Sequence, residues 1–173
     1  MRETLALIEQ IIEEHKTILQ RLATLDQVAN DAEALRGLDQ AQKSFMPGRL
    51  DEHKGLQRLV ELFELIDQGL QAHFSREETA LRAAFEEQGD RDLVSAFDDL
   101  LLEHKDLRNR LVNTRNYISQ LTGGGLSRHR WESTAHDMRA HISHTRRLLE
   151  AHAELEQDLL FSLRRRLLGA EKV

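Results

Sequence analysis

Four stretches of this chain repeat apolar residues at the three- and four-residue spacing of an amphipathic helix, and a histidine interrupts each apolar stripe. His15 stands among Leu5, Ile8, Ile12, Ile18, Leu22 and Leu25. His73 and Glu77 stand among Leu59, Phe63, Ile66, Leu70, Leu81 and Phe85. His104 is flanked by Phe97, Leu100, Leu101, Leu107, Leu111 and Ile118, and His152 and Glu156 by Thr145, Leu149, Leu159, Leu160 and Leu163. Four imidazoles and two carboxylates turned into one helical core cost a great deal to desolvate unless a positive, multivalent species sits among them. A pair of metal ions is the simplest such species.

The stripes also set the architecture. The first predicted helix runs over about residues 3–28, and a shorter helical piece over 32–45 leads to Met46-Pro47-Gly48, where proline breaks the pattern. A second helix restarts beyond the break and stops at Gly89, with Asp90 placed to cap the next. The third covers about 91–121 and ends at Gly123-Gly124-Gly125. The fourth begins near Ser127, with an interruption expected before its last part. One proline, nine glycines and 31% charged residues leave no strand signal. The expected fold is all-α, an up-down-up-down four-helix bundle with a short extra helix between helices 1 and 2, forming a single domain over 1–173. A surplus apolar face on the 32–45 piece would cap the bundle or meet a second copy, so a monomer or a homodimer is expected.

Composition removes several function classes. A formal charge of -6 gives no broad positive field for nucleic acid or an anionic membrane. No apolar run is long enough to span a bilayer, and the acid-rich start MRETLALIEQIIEEHK does not read as a signal peptide, so a cytoplasmic protein is expected. The absence of cysteine excludes thiolate and iron-sulfur ligation. Only His, Asp and Glu are left as ligands, which moves the expected metal from structural zinc toward iron or manganese.

The order of the candidate ligands carries further information. Each half of the chain supplies a lone histidine and then a His-x-x-x-Glu pair: His15 before His73 and Glu77, and His104 before His152 and Glu156. The surrounding text repeats as well. EEHKTILQRL matches LEHKDLRNRL, and LQAHFSREETAL matches LEAHAELEQDLL. Positions i and i+4 share a helix face, so each histidine of a pair can bind one ion while its glutamate reaches the midpoint between two. His15 and His73 would serve one ion, His104 and His152 the other, with Glu77 and Glu156 bridging. A water-derived bridge would then leave about one open position per six-coordinate ion.

The phrases IIEEHKTILQRL, LQAHFSREETALRAAFEEQG, LLLEHKDLRNRL and LLEAHAELEQDLLFSL, in that order, resemble the hemerythrin-like, or HHE cation-binding, family over nearly the whole chain. The resemblance implies a four-helix bundle around two non-heme, oxo- or hydroxo-bridged iron ions, ahead of manganese or zinc. It places His15, His73, Glu77, His104, His152 and Glu156 in the ligand positions. Oxygen-carrying hemerythrins have a fifth histidine one turn after the position of His104, where this chain has Arg108, and their last motif ends in aspartate at a longer spacing than Glu156. Four histidines and two glutamates instead resemble the bacterial branch that includes proteins proposed to repair iron centres, although their cysteine-containing segment is missing here.

The expected function is binding of O2, peroxide or NO at the open positions, in oxidative or nitrosative stress response or in iron handling. Redox turnover is left open. The alternative is a metal-dependent structural or sensor helical module without turnover. A ferritin-like site would need Glu-x-x-His motifs, and no histidine here stands in one. Among the other histidines, His53 falls roughly 30 Å from His73 if its helix is continuous. His141 and His144 fall roughly 16 and 12 Å from His152, where ordinary polar roles are preferred to an access route or an adventitious ion.

Overall fold

A computed structural model describes the backbone of residues 1–39 and 54–170. The described residues form helices with no strand: α1 (Arg2–Asp39), α2 (Lys54–Arg76), a π-helical turn (Glu77–Leu81), α3 (Arg82–Gln88), α4 (Arg91–Leu101), α5 (Glu103–Thr122) and α6 (Arg128–Ala170). None is long and apolar enough to cross a membrane. The expected Met46-Pro47-Gly48 break, His53 and the end of the 32–45 piece lie outside the described residues.

Three boundaries differ from those expected. First, α1 runs unbroken through Asp39 instead of stopping near Val28, because Asn30-Asp31 is a weak helix stretch with no proline to break it. Second, α6 continues for 43 residues without interruption, and no glycine or proline falls between Arg128 and Leu168. Third, the expected third helix is broken at Leu102. Leu100, Leu101 and Leu102 cannot all face one core, and the turn leaves Leu100 buried while turning Leu102 out at 75% exposure. The Leu102 amide donates to the Asp99 carbonyl at 3.2 Å, a tighter turn than the α-helix makes.

The π turn is the other departure from simple periodicity. The Arg82 amide reaches back five residues to the Glu77 carbonyl, while the Thr79 hydroxyl donates to the Ser75 carbonyl at 2.6 Å. A threonine hydroxyl occupying the carbonyl one turn back loosens the ladder there, and such turns are frequent at functional sites.

The chain divides into two compact units, each drawn from several segments. One comprises Met1–Leu19, Gln68–Arg108 and Leu148–Val173. Its core contains Ile8, Ile11, Leu81, Phe85, Phe97, Leu100, Leu160, Leu163 and Leu167, with the Phe85 and Phe97 rings stacked at 4.1 Å. Gly89 closes α3, where an added Cβ would lie 2.6 Å from the Phe85 carbonyl oxygen. Asp90 then caps α4 as expected, one carboxylate oxygen accepting from the Leu93 amide at 2.9 Å and the other pairing with Arg166 at 2.7 Å.

The second unit comprises Gln20–Asp67 and Asn109–Arg147. Its buried residues include Leu22, Leu25, Phe63, Ile66, Leu111, Ile118, Trp131 and Ile142. Gly124 and Gly125 take φ of 75° and 80° in the link from α5 to α6, a region that disfavours any side chain. The Trp131 indole closes that link by donating to the Leu121 carbonyl at 3.1 Å. Asp26 pairs with Arg146 at 3.2 Å, and Asp67 with Arg115.

Removing the α4 cap tests the boundary. Asp90→Ala is expected to lower unfolding free energy by about 1 kcal/mol, and Asp90→Asn, which can still accept from the Leu93 amide, by less. Urea titration followed by far-UV circular dichroism measures both.

Candidate metal centre

All six residues singled out by the sequence lie in the first compact unit and are buried: His15 at 5% exposure, His104 at 1%, and Glu77 and Glu156 at 0%. Each element supplies its share through ordinary helix geometry. α1 presents His15 one turn before Ile18 and two before Leu22, all three facing inward. α2 presents His73 with Glu77 one turn on, at the mouth of the π turn. α5 starts just early enough after the Leu102 break to turn His104 inward, and α6 carries His152 and Glu156 one turn apart.

The ligand-type atoms converge in two groups, each with its atoms within 4.8 Å of one another. One contains His15, His73, Glu77 and Glu156; the other contains Glu77, His104 and His152. The pairing of His15 with His73 and of His104 with His152 is as the sequence implies. Glu77 belongs to both groups, one oxygen 2.5 Å from His73 Nε2 and the other 3.0 Å from His104 Nε2. Glu156 belongs to the first group alone, 2.9 Å from His15 Nε2. The spacing puts both glutamates between the two histidine pairs; here Glu77 alone belongs to both groups. His104 and His152 face one another through Nε2 atoms 3.3 Å apart.

The distances to Glu77 and Glu156 are those of hydrogen bonds, but the directions are not. Both oxygens of Glu77, both of Glu156 and both nitrogens of His15 lack a properly directed partner, although all are buried. Orphaned buried polar atoms are costly, and a cation bound among the converging imidazole and carboxylate atoms would satisfy most of them. Imidazole and carboxylate donors without sulfur suit iron, manganese or zinc.

Electrostatics show how strained the cluster is. Burial pushes the His15 imidazole down, but the adjoining Glu156 and Glu77 overcome this and hold it up at about 9. Burial raises Glu77 too, yet His104, His15 and His73 around it take it well below the usual carboxylate range. Glu156 is raised to about 6, by burial first and by the Glu77 charge, against the pull of His15. Burial likewise opposes charge on His104, where Glu77 and Glu78 win and raise it. On His152 burial and the neighbouring His104 win and lower it.

Sequence reasoning missed the carboxylates behind the imidazoles. Glu14 lies 2.9 Å from His73 Nδ1, Glu78 lies 2.8 Å from His104 Nδ1, and Glu103 lies 2.9 Å from His152 Nδ1. A carboxylate can only accept there, so each takes a hydrogen bond from Nδ1 and turns Nε2 inward. The signal was present: Glu14 and Glu103 are the glutamates of the two Glu-His-Lys phrases, and Glu78 follows Glu77 directly. Arg76 grips Glu14 at 2.8 and 3.2 Å. Arg108, one turn after His104, grips Glu78 with two bonds of 2.6 and 3.0 Å.

A small cavity of about 10 Å³ adjoins His15, His73 and His152, walled by apolar side chains that include Ile18, Leu70 and Leu149. That is room for about one water-sized molecule. The remaining histidines among the described residues stand apart from the centre. His141 Nε2 donates to the Arg110 carbonyl at 3.1 Å and its ring lies against Tyr117, an ordinary polar role, while His129, His136 and His144 are exposed.

Neither a curated protein nor a solved structure matches the chain significantly. The family model described as the hemerythrin HHE cation binding domain matches residues 6–163, a span that holds all six buried histidines and glutamates of the centre. The chain belongs to the hemerythrin HHE cation-binding domain family.

Proposed function

We propose that the chain is a non-heme di-iron protein whose ligands are His15, His73, Glu77, His104, His152 and Glu156, carried by an up-down-up-down four-helix bundle in a single cytoplasmic domain. The observation that carries this reading is the double membership of Glu77. One fully buried carboxylate offers an oxygen to each of two imidazole pairs, which is the arrangement two adjacent cations need and one does not. Iron is favoured over zinc because a structural zinc site has little use for a shared carboxylate and a neighbouring cavity.

The proposed ligand is O2, peroxide or NO, and the proposed setting is oxidative or nitrosative stress response or iron handling. Two features support a small uncharged or anionic ligand. The cavity beside His15 holds about one water-sized molecule and its walls are largely apolar. Two carboxylates do not cancel the charge of two divalent or trivalent ions, so the centre keeps a positive field inside a low-dielectric core. The iron would supply the redox chemistry. The protein's own part is geometric: Glu14, Glu78 and Glu103 fix three imidazoles with Nε2 inward, and Leu70, Phe74 and Leu149 keep bulk water out.

Protein purified without added metal is expected to contain two iron ions per chain with ligand-to-metal charge-transfer absorption. His104→Ala is expected to lose that absorption and at least one ion while keeping its helical circular dichroism. A chain that carries no metal and keeps full stability in chelator would reduce the protein to a helical module. Stoichiometric zinc with no response to peroxide or NO would leave a structural role.

Metal uptake must expel protons, which sets its pH dependence. His15 holds a proton up to about 9 and Glu156 up to about 6, so apparent affinity should climb with pH, most steeply below about 6, and level off above 9. The metal-free chain should behave oppositely. Because the folded His15 value lies above its ordinary 6.5, the stability it contributes is complete below 6.5 and is lost as pH rises through 9. Thermal melts with and without chelator across this range measure both trends.

A further inference from the structure

Arg108 and Glu78 sit outside the ligand set, yet they are built against one ligand with unusual thoroughness. Glu78 Oε1 accepts from His104 Nδ1 at 2.8 Å, and the same carboxylate takes both terminal nitrogens of Arg108. Arg108 Nε donates onward to Gln71 at 3.2 Å. The Arg108 guanidinium also lies 5.2 Å from the centre of the Phe74 ring, and Phe74 stacks on His104 at 4.2 Å with 26° between the planes. His104 is therefore held at its edge by Glu78 and on its face by Phe74, and Arg108 touches both. A carboxylate gripped by a guanidinium and accepting from Nδ1 fixes the ring's orientation and leaves Nε2 as its ligand nitrogen.

The corresponding place in the other half of the repeat differs. Alignment of LQAHFSREETAL with LEAHAELEQDLL sets Gln157 opposite Glu78, and alignment of the Glu-His-Lys phrases sets Leu19 opposite Arg108. His15, the counterpart of His104, has a buried Nδ1 with no partner. The group of His104 and His152 thus has a carboxylate behind each imidazole, whereas the group of His15 and His73 has one behind His73 alone.

We propose that Arg108 and Glu78 are a positioning pair, Arg108 acting through Glu78, that strengthens metal binding selectively at the His104–His152 position and so makes the two metal positions unequal. This rests on the metal-centre reading above but adds residues and an asymmetry that the reading does not require. Glu78 is the member that touches the ligand histidine, and Arg108 contributes by holding Glu78 in place.

Cobalt(II) titration, followed by its visible spectrum and by equilibrium dialysis, tests the pair in the full chain. The wild-type chain is expected to take two ions. Glu78→Gln should retain one at wild-type affinity and bind the other roughly ten- to hundred-fold more weakly. Arg108→Met should weaken that same ion by less, and the double variant should be no weaker than Glu78→Gln alone, the non-additivity expected of residues acting in series. Glu14→Gln, which removes the carboxylate behind His73, should weaken the other ion instead, so combining it with Glu78→Gln should weaken both. Circular dichroism confirms that each variant is folded. Unchanged affinity in folded Glu78→Gln, equal weakening of both ions, or additive losses in the double variant overturn the proposal while leaving the metal centre standing. A wild-type chain that takes up no cobalt overturns the metal-centre reading and this one with it.

Discussion

The structure depends on one buried carboxylate. Glu77 has no exposed surface, and its two oxygens serve imidazoles of both groups. An isolated carboxylate at such depth would cost several kcal/mol and would instead take up a proton. Glu77 does the reverse and stays ionised, because His104, His15 and His73 surround it closely enough to outweigh desolvation. Protons act as compensating cations there: His15 keeps one to about 9. They are a poor substitute, since the buried nitrogens and oxygens are not aimed as hydrogen bonds require. The cluster therefore folds in a form that invites exchange of protons for something of higher charge.

Much of this was legible in the sequence because helical periodicity and ligand spacing share one geometric basis. A residue on the apolar stripe faces the core, and a histidine on the stripe with a glutamate four residues later must present both to the same interior. That is why His73 with Glu77, and His152 with Glu156, could be placed with no structure in hand. The breaks were less legible. Leu102 belongs to an unbroken apolar run, and nothing in local propensity says which of three leucines will be sacrificed to solvent. The π turn depends on a threonine hydroxyl finding a carbonyl one turn back, which many threonines do without distorting a helix.

The carboxylates behind the imidazoles were hidden for another reason. Glu14, Glu78 and Glu103 lie off the apolar stripes and are partly exposed, so a search for buried ligands passes over them. Each also acts across helices: Glu14 on α1 serves His73 on α2, and Glu103 on α5 serves His152 on α6. Periodicity reports which way a side chain faces from its own helix, and it carries no information about which neighbour's Nδ1 it will meet. The repeat was a better guide, since Glu14 and Glu103 occupy the same place in their phrases and perform the same task.

Where the two halves diverge, the divergences fall together. Phe74 packs on His104 while its counterpart is Ala153; Arg108 bridges Glu78 and Phe74 while its counterpart is Leu19; Glu78 backs His104 while its counterpart is Gln157. Each difference removes bulk or charge from the surroundings of His15, and the cavity of the centre is lined by His15, Leu19 and Ala153. A stacked ring and a clamped carboxylate hold His104 from two sides, whereas small or flexible side chains leave His15 with space and an unsatisfied nitrogen. Packing density makes these alternatives exclusive, because a phenyl ring at position 153 would occupy the volume that an alanine leaves free. Rigidity on one side and room on the other are therefore two results of the same substitutions within a repeated pattern.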